Sequence, residues 1–271
     1  MFTERELRKG LNTKAFGNRV FTFEKIDSTN NCARALANVG KEEGIVVIAE
    51  EQTAGKGRLG RSWEANRGEN LTFSILLRPK VSPEAINLLP LSVGVAIAEA
   101  IERVTRLKVE CKWPNDLLLN GKKVAGILME SSMKENTVDF VVVGVGLNVN
   151  QTQFSPNLQA RATSLKLESK QEIDRARLFK EILASLEANY YAGLKTEFKS
   201  VMSSWLRRTP MLNKPIVISQ QGTIISGFVR GLSPDGGLVL QTNGTEKTLY
   251  AGDVTILGDS QAKQSLDTHT P

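Results

Sequence analysis

Residues 53–63, TAGKGRLGRSW, place three glycines and three cationic side chains within eleven positions. They directly follow GIVVIAEEQ, residues 44–52, whose apolar run predicts a buried strand. Gly55, Gly57 and Gly60 match the pattern G-x-G-x-x-G, but a dinucleotide-binding turn also needs a helix immediately after the glycines. The chain continues instead with RSWEANRGEN, which is polar and has no helical period. We therefore do not expect a doubly wound dinucleotide-binding fold.

The charges of this loop favour an anion site. Glycines let the backbone wrap closely around a ligand, while Lys56, Arg58 and Arg61 supply the positive charge that suits a phosphate or a carboxylate. A surface loop whose charges are simply solvated is the alternative. Trp63, at the end of the loop, favours an ordered site over a solvated loop.

A second polar cluster, KWPNDLLLNGKKVAG, spans residues 112–126. Asn120 and Gly121, which lie between apolar runs, predict a two-residue hairpin turn. Such a hairpin would return Lys123 along the neighbouring strand to the same side as Asp116. The two charges form either a plain surface ion pair or an acid–base and charge-stabilising pair beside a reacting group.

The rest of the sequence predicts an α+β fold in two parts. Strands are predicted at 19–26, 71–79 and 140–150, and helices after the capping residues 27–30, at 83–105 and within 172–206. After Pro210, short strand-like runs alternate with QG, PDGG and NG turns, which predicts a small barrel or sandwich of about five strands. We therefore expect domains at 1–210 and 211–258, followed by a disordered tail at 259–271.

Composition argues against several classes of function. The net charge of +6 is compatible with nucleic-acid, nucleotide or acidic protein partners and does not decide among them. The only histidine, His269, lies in the polar tail, which argues against a Ser-His-Asp or Cys-His catalytic group and against histidine-bound zinc. Cys32 and Cys111 have no metal-ligand spacing and are expected to be reduced, as in the cytoplasm. No secretory signal and no uncharged apolar run of about 18 residues occurs, so we expect no membrane partner.

Five stretches together resemble the biotin protein ligases. They are DSTN (27–30), EEQTAGKGRLGRSW (50–63), KWPNDLLLNGKKVAGILME (112–130), GVGLNVN (144–150) and RATSL (161–165). The resemblance runs from about residue 20 to the end of the chain. It implies a catalytic domain related to class II aminoacyl-tRNA synthetases, with a mixed sheet flanked by helices, and a small C-terminal SH3-like β-barrel.

The resemblance also implies an enzyme with two chemical steps. Biotin's carboxylate attacks the α-phosphate of ATP, which gives biotinyl-5′-adenylate and pyrophosphate. A lysine of a biotin carboxyl carrier protein then attacks the acyl carbon and expels AMP. Both nucleophiles come from substrates, which agrees with the histidine count. Mg²⁺ would accompany ATP, bound mainly by phosphates and water.

Site residues follow from the same resemblance, motif by motif. Biotin contacts would fall on Ser28, Thr29, Asn30, Gln52, Lys56, Gly57, Arg58, Lys123 and Gly126. ATP or adenylate contacts would fall on Arg61, Trp63, Lys112, Asn115 and Asn148. The catalytic residues would be Arg58, Lys123 and Asp116: the cations stabilise charge on the carboxylate and α-phosphate, and Asp116 orients the incoming lysine or helps take its proton. The family implies no protein metal site.

One position departs from the family pattern. The family usually has Arg-Gly-Arg in the glycine loop, and here the first cation is Lys56. Lysine keeps the charge but lacks the planar fork that binds a carboxylate or phosphate through two hydrogen bonds. We expect the chemistry to survive, because Arg58 is retained.

Three alternatives belong to other functions. A biotin-responsive repressor would need an N-terminal helix-turn-helix, but residues 1–19 offer room for one short helix, so we expect no DNA binding. A lipoate or octanoate ligase would share the fold superfamily, yet its substrates lack the ureido ring, and the loop and the terminal β domain favour biotin. A scaffold would require the cations and Asp116 to be incidental. The sequence leaves the oligomeric state open, although family members often form homodimers through the catalytic sheet.

Overall fold

The computed structural model describes residues 2–220, 222–242 and 244–257. Within these residues the α-helices are α1 Glu4–Arg8, α2 Thr29–Asn38, α3 Leu89–Thr105, α4 Pro156–Gln159, α5 Leu165–Ser169, α6 Arg175–Leu194 and α7 Val201–Leu206. The strands are β1 Val20–Ile26, β2 Val46–Gln52, β3 Leu71–Leu77, β4 Glu110–Lys112, β5 Asp116–Leu119, β6 Lys122–Lys134, β7 Thr137–Leu147, β8 Pro215–Gln220, β9 Thr223–Leu232, β10 Leu238–Thr242, β11 Thr245–Leu249 and β12 Asp253–Ile256. The predicted tail at 259–271 lies outside the described residues.

The first seven strands form one mixed sheet in the order β1-β2-β3-β7-β6-β5-β4. β1 pairs with β2 in parallel, and the other neighbours are antiparallel. The strands predicted from the sequence are confirmed, and β7 lies at the centre of the sheet. The hairpin turn is also confirmed, because Asn120 and Gly121 both have positive φ, 51° and 75°, as a two-residue turn of this kind requires.

The two faces of the sheet carry different layers. Val141, Val143 and Val145 of β7 point into the larger core, where α3 and α6 pack together. Val142 points to the other face, where α2 covers a smaller core. Burying valines on both faces stabilises the central strand by about 1.5–3 kcal/mol per side chain. Because α2 is short, it leaves part of its face of the sheet open for a site.

The apolar helix predicted at 83–105 is α3 together with a 3₁₀ helix, Glu84–Leu88, that directly precedes it. The segment Glu84–Thr105 is long and apolar enough to cross a membrane by length and composition. However, 72% of its most apolar 18-residue stretch is buried inside the protein, against the sheet, α6 and α7. The apolar composition is therefore accounted for by packing.

The last five strands form a separate antiparallel sheet in the order β11-β10-β9-β8-β12. The five short strands predicted after Pro210 are confirmed. This sheet contacts the first part of the chain directly: Trp113 Nε1 donates a hydrogen bond of 3.2 Å to the carbonyl oxygen of Gly236, in the turn before β10. The contact joins the turn after β4 to the C-terminal sheet.

Candidate active site

Three glycines form the floor of the candidate site, on the face of the sheet that α2 covers. Gly126 of β6 pairs with Gly146 of β7, and Gly144 lies two residues away on the same face. A Cβ at Gly146 would overlap the indole of Trp63, and a Cβ at Gly144 would overlap the side chain of Asn30. The missing side chains therefore create a depression that Trp63 and Asn30 cover from above.

Helix α2 begins at this depression with three buried polar residues. Gln52 Oε1, at the end of β2, accepts hydrogen bonds from the Thr29 backbone N–H at 2.7 Å and from Thr29 Oγ1 at 3.0 Å. Ser74 Oγ lies 2.7 Å from Thr29 Oγ1 and 2.6 Å from Asn30 Oδ1. Ser28 is the N-cap residue, but its side chain makes no capping hydrogen bond. Its hydroxyl therefore remains available to a ligand.

Glu130 completes this network from β6. Its Oε2 accepts from Asn30 Nδ2 at 2.7 Å, and its Oε1 pairs with Arg34 at 2.9 Å. The carboxylate fixes the amide of Asn30 so that Oδ1 faces Ser74. Sequence reasoning did not single out Ser74 and Glu130, because Asn30, the residue that both contact, lies 44 and 100 positions away in the chain.

The glycine loop is folded as a small hairpin over the site. Lys56 and Ser62 form an antiparallel bridge, and the Gly57 N–H donates to the Arg61 carbonyl at 2.7 Å. Lys56 Nζ bonds Asn31 Oδ1 on α2 at 2.5 Å, and Arg58 bonds Asn115 Oδ1 at 3.2 Å. The loop is thus tied to α2 on one side and to the turn before β5 on the other.

Trp63 lies between the loop and the glycine floor. The ammonium of Lys123 sits 5.6 Å from the centre of its ring, within range of a cation–π interaction. The indole Nε1 is buried and has no hydrogen-bond partner in the protein. A buried donor without a partner is uncommon in proteins, so this N–H is available to a ligand acceptor.

Asp116 and Lys123 face each other beside Trp63, with 2.6 Å between Asp116 Oδ1 and Lys123 Nζ. Lys123 pairs with Leu118 across the hairpin, and Asp116 lies two residues from Leu118 on the same face. Lys112 pairs directly with Asp116 from β4. The prediction that the hairpin brings Lys123 to the side of Asp116 is confirmed.

Burial changes the electrostatics of two cations at this point. Removal from water lowers the pKa of Arg58, although the nearby carboxylates of Asp116 and Asp253 oppose the shift. Desolvation likewise lowers the pKa of Lys112, again opposed by Asp116. Burial disfavours the charged form of each side chain, and an opposite charge nearby offsets that cost. Binding of an anionic ligand beside Arg58 and Lys112 would therefore be favoured.

Asn148 follows β7 and is almost fully buried. Its Nδ2 donates to the Thr163 carbonyl at 3.0 Å, while its Oδ1 has no hydrogen-bond partner in the protein. Thr163 also lines a cleft of about 590 Å³ with polar walls, together with Lys122, Thr152, Gln159 and other residues of the segment that follows β7. Asn148 therefore has a buried acceptor without a protein partner, and the residue to which its amide donates, Thr163, lines this cleft.

Arg61, at the base of the loop, forms an ion pair with Asp253 of β12. Asp253 belongs to the C-terminal sheet and carried no signal in the sequence, because its partner lies 192 positions away.

Gly144 and Gly146 could have been identified as site residues from the sequence, since glycines at a spacing of two interrupt an otherwise valine-rich strand.

The predicted site residues group on one side of the sheet. The first group surrounds α2 and the loop and contains Ser28, Thr29, Asn30, Gln52, Lys56, Gly57, Arg58, Arg61 and Trp63. The second group lies on β4, β5, β6 and the end of β7 and contains Lys112, Asn115, Asp116, Lys123, Gly126 and Asn148. Contacts of Arg58 with Asn115 and of Trp63 with Lys123 join the groups. Among the described residues no three His, Cys, Asp or Glu side chains lie close enough to hold a metal ion.

Comparison with protein families gives two matches. Residues 22–148 match the Biotin/lipoate A/B protein ligase family. Residues 211–257 match the Biotin protein ligase C terminal domain. The first match contains almost all of the site residues, and the second covers the five-stranded C-terminal sheet.

Individual proteins are similar over most of this length. A bifunctional ligase/repressor BirA from Bacillus subtilis is 33% identical over 256 residues, which cover 94% of this chain and 79% of the relative. A biotin–[acetyl-CoA-carboxylase] ligase from Paracoccus denitrificans is 35% identical, over 86% of this chain and 99% of the relative. The solved structure of a biotin protein ligase from Aquifex aeolicus in complex with biotin and ATP has a TM-score of 0.75 at 28% identity, and covers 89% of this chain and 99% of that one.

Proposed function

The chain belongs to the biotin protein ligase family, and we propose that it activates biotin with ATP and transfers it to a lysine of a biotin carboxyl carrier protein. The observation that carries the proposal is the arrangement around the glycine floor. A buried network of hydroxyl and amide groups lies on one side, and cations paired with Asp116 lie on the other. This arrangement suits a ligand with a polar ring at one end and a carboxylate at the other.

The polar network supports recognition of the ureido ring of biotin. That ring offers N–H donors and a carbonyl acceptor on one edge, and Ser28, Thr29 and Gln52 supply both kinds of partner. Asn30, whose two amide atoms are bonded to Ser74 and Glu130, holds the network in place. Lipoate has no ureido group and would leave buried polar atoms unpaired, which disfavours it strongly.

The cations support the first chemical step. Biotin's carboxylate oxygen attacks the α-phosphorus of ATP, the bond to the β-phosphate oxygen breaks, and pyrophosphate leaves. Arg58 and Lys123 stabilise the charge that builds up on the carboxylate and α-phosphate, while Arg61 and Lys112 hold the phosphates. Mg²⁺ enters with the nucleotide, coordinated mainly by phosphates and water.

Asn148 and Trp63 support the binding of the nucleoside. The free Oδ1 of Asn148 can accept from the exocyclic amine of adenine, and the unpaired indole N–H of Trp63 can donate to the adenylate. Gly57 and Gly126 let the ligand approach the backbone, and Asn115 keeps Arg58 oriented toward the site.

The second step needs a base rather than a protein nucleophile. The carrier lysine attacks the acyl carbon as a neutral amine, the bond to the phosphate oxygen breaks, and AMP leaves. We assign to Asp116 the task of orienting the ammonium of that lysine or helping to take its proton, while Lys123 stabilises the charge on the phosphate. Both substrates bring their own nucleophiles, so positioning and charge stabilisation are the tasks of the protein.

Finer features belong to the same proposal. The catalytic part, 1–210, has the architecture of class II aminoacyl-tRNA synthetases, and 211–258 is an SH3-like barrel that ends before the tail at 259–271. The enzyme works in the cytoplasm, in keeping with its free thiols at Cys32 and Cys111. A homodimer, as family members often form, would use the catalytic sheet.

Biotin-dependent exchange between labelled pyrophosphate and ATP tests the first step. We expect exchange with biotin and none without it, and a loss of at least tenfold in Arg58→Ala. Arg103→Ala, which removes an exposed cation paired with Glu181 on the far helices, is the matched control and should exchange normally. Absence of biotin-dependent exchange in the unaltered protein would contradict the proposal.

A further inference from the structure

The loop that covers the active site is held by the C-terminal sheet at one point. Arg61 of the loop forms an ion pair with Asp253, the first residue of β12. Asp253 is in turn fixed by the pairing of β12 with β8, where it lies opposite Ser219. The ion pair therefore connects the loop hairpin to a regular element of the second sheet.

This second sheet is also anchored to the catalytic sheet. Trp113 Nε1 donates to the Gly236 carbonyl, and Trp113 itself is 3% exposed. Gly236 packs against Asn87 and Leu88 in the 3₁₀ helix before α3, where even a Cβ would make a tight contact. Because the anchor is buried, Asp253 has a defined position relative to the floor of the site.

The charge of Asp253 acts on cations other than its partner. Its carboxylate opposes the lowering of the pKa of both Arg58 and Lys112, so its charge reaches the cations assigned to the phosphates. Among the described residues of the C-terminal sheet, Asp253 is the one whose charge acts on Arg58 and Lys112. A carboxylate in this position can serve as a substitute partner for a cation when a phosphate leaves.

We propose that Asp253 is a positioning residue that takes over Arg61 after pyrophosphate departs and keeps the loop closed over the adenylate until the carrier arrives. While ATP is bound, its phosphates hold Arg61. The adenylate retains a single phosphate charge, so Arg61 loses partners when pyrophosphate leaves, and Asp253 replaces them. The hairpin transmits this hold to Trp63 through the bridge between Lys56 and Ser62 and the hydrogen bond from Gly57 to Arg61. This inference rests on the proposed function.

A closed loop protects the mixed anhydride from water. If the loop opens, water adds to the acyl carbon, the bond to the phosphate oxygen breaks, and biotin and AMP leave. The enzyme would then start another adenylation and consume ATP without a carrier. The rate of this wasted turnover therefore reports how well the loop is held.

The experiment measures pyrophosphate release from biotin and MgATP without carrier protein. The unaltered protein should release one equivalent per active site in a burst and then turn over slowly. Asp253→Asn should show the same burst, but its later rate should rise about two- to fivefold, the range that one partly exposed ion pair supports. Asp253→Glu should restore the slow rate. In 1 M salt, where the Debye length is about 3 Å, the ion pair of the unaltered protein is screened, so the rates of the unaltered protein and Asp253→Asn should become equal.

Asp139→Asn is the matched control, because it removes a carboxylate of similar exposure that pairs with Arg78, away from the loop. It should behave like the unaltered protein. A burst followed by equal slow rates in Asp253→Asn and the unaltered protein would overturn the role of Asp253 and leave the proposed function intact. No burst in the unaltered protein would instead count against the proposed function itself.

Discussion

Lys123 Nζ lies 2.6 Å from Asp116 Oδ1, and the two side chains reach each other from the strands of a single hairpin. The turn at Asn120 and Gly121 sets the pairing of Lys123 with Leu118, and a β-bulge between Leu117 and Leu118 shifts the register so that Gly126 of the glycine floor lies opposite Asp116. The face that carries this floor receives Trp63 from the loop. The local turn and the bulge therefore decide the position of a pair that we assign to the chemistry.

The first prediction concerns Asp116. Asp116→Asn keeps the shape of the side chain but cannot accept a proton from the carrier lysine. We expect transfer from preformed biotinyl-adenylate to slow roughly 10²-fold, the lower end of general acid–base effects, with a smaller effect on adenylate formation. Single-turnover transfer to a carrier domain measures the step. Equal transfer rates would exclude Asp116 as the base.

The second prediction concerns Ser74, which is fully buried beneath α2. Ser74→Ala removes the hydroxyl that lies 2.6 Å from Asn30 Oδ1 and 2.7 Å from Thr29 Oγ1. A buried polar group without its partner costs about 1–3 kcal/mol. Because the network has to be ordered for recognition, we expect the biotin Kd to rise about 5- to 150-fold.

Calorimetric titration with biotin measures this effect, and Ser92→Ala, a buried serine on α3, is the control. If Ser74→Ala lowered the free energy of unfolding and left the biotin Kd unchanged, Ser74 would stabilise the fold without supporting recognition.

The third prediction tests the glycine floor. Gly146→Ala adds a methyl group where the Trp63 indole lies, so the indole has to move or the depression has to fill. We expect biotin affinity to fall at least tenfold and the tryptophan fluorescence to change, because Trp63 is one of the three tryptophans. Gly94→Ala in α3, where a Cβ meets ordinary contacts of 3.7 Å, is the matched control. Unaltered biotin affinity in Gly146→Ala would mean that the ligand does not use the floor.

The fourth prediction concerns stability at high pH. Burial raises the pKa of the Cys111 thiol from 9.0 to about 12. Between these values the native protein keeps a proton that the unfolded chain has lost, so the free energy of unfolding falls as the pH rises above 9. The slope from this thiol is at most about 1.4 kcal/mol per pH unit.

Denaturant unfolding between pH 8.5 and 11 checks the slope, and Cys111→Ala should remove this part of it. Parallel curves for the two proteins would show that Cys111 makes no such contribution to the pH dependence.

Local patterns predicted much of the fold. Valine-rich runs, the Asn120–Gly121 turn and the strand spacing after Pro210 correctly indicated the central strand, the hairpin and the five-stranded sheet. These features depend on neighbouring residues, so they can be read from short stretches. The 3₁₀ first turn before α3 was not predicted, because helical spacing of apolar residues does not distinguish the two helix types.

Parts of the candidate site depend on distant residues and carried no local signal. Glu130 forms a hydrogen bond with Asn30, which lies 100 positions away in the sequence, and Ser74 forms one with Asn30 over a separation of 44 positions. Asp253 meets Arg61 only because the second sheet packs against the first. The order of the strands creates these contacts, and one chain read in sequence does not reveal that order.

The most direct test of the central claim is intact-mass spectrometry of a biotin carrier domain incubated with this protein, MgATP and equimolar biotin and lipoate. We predict an ATP-dependent mass increment of one biotinyl group on the carrier and no lipoyl increment. A lipoyl increment would contradict the assignment of the polar network to the ureido ring. Absence of any increment, with a carrier domain that a known biotin ligase does modify, would contradict the proposed ligase activity on that carrier.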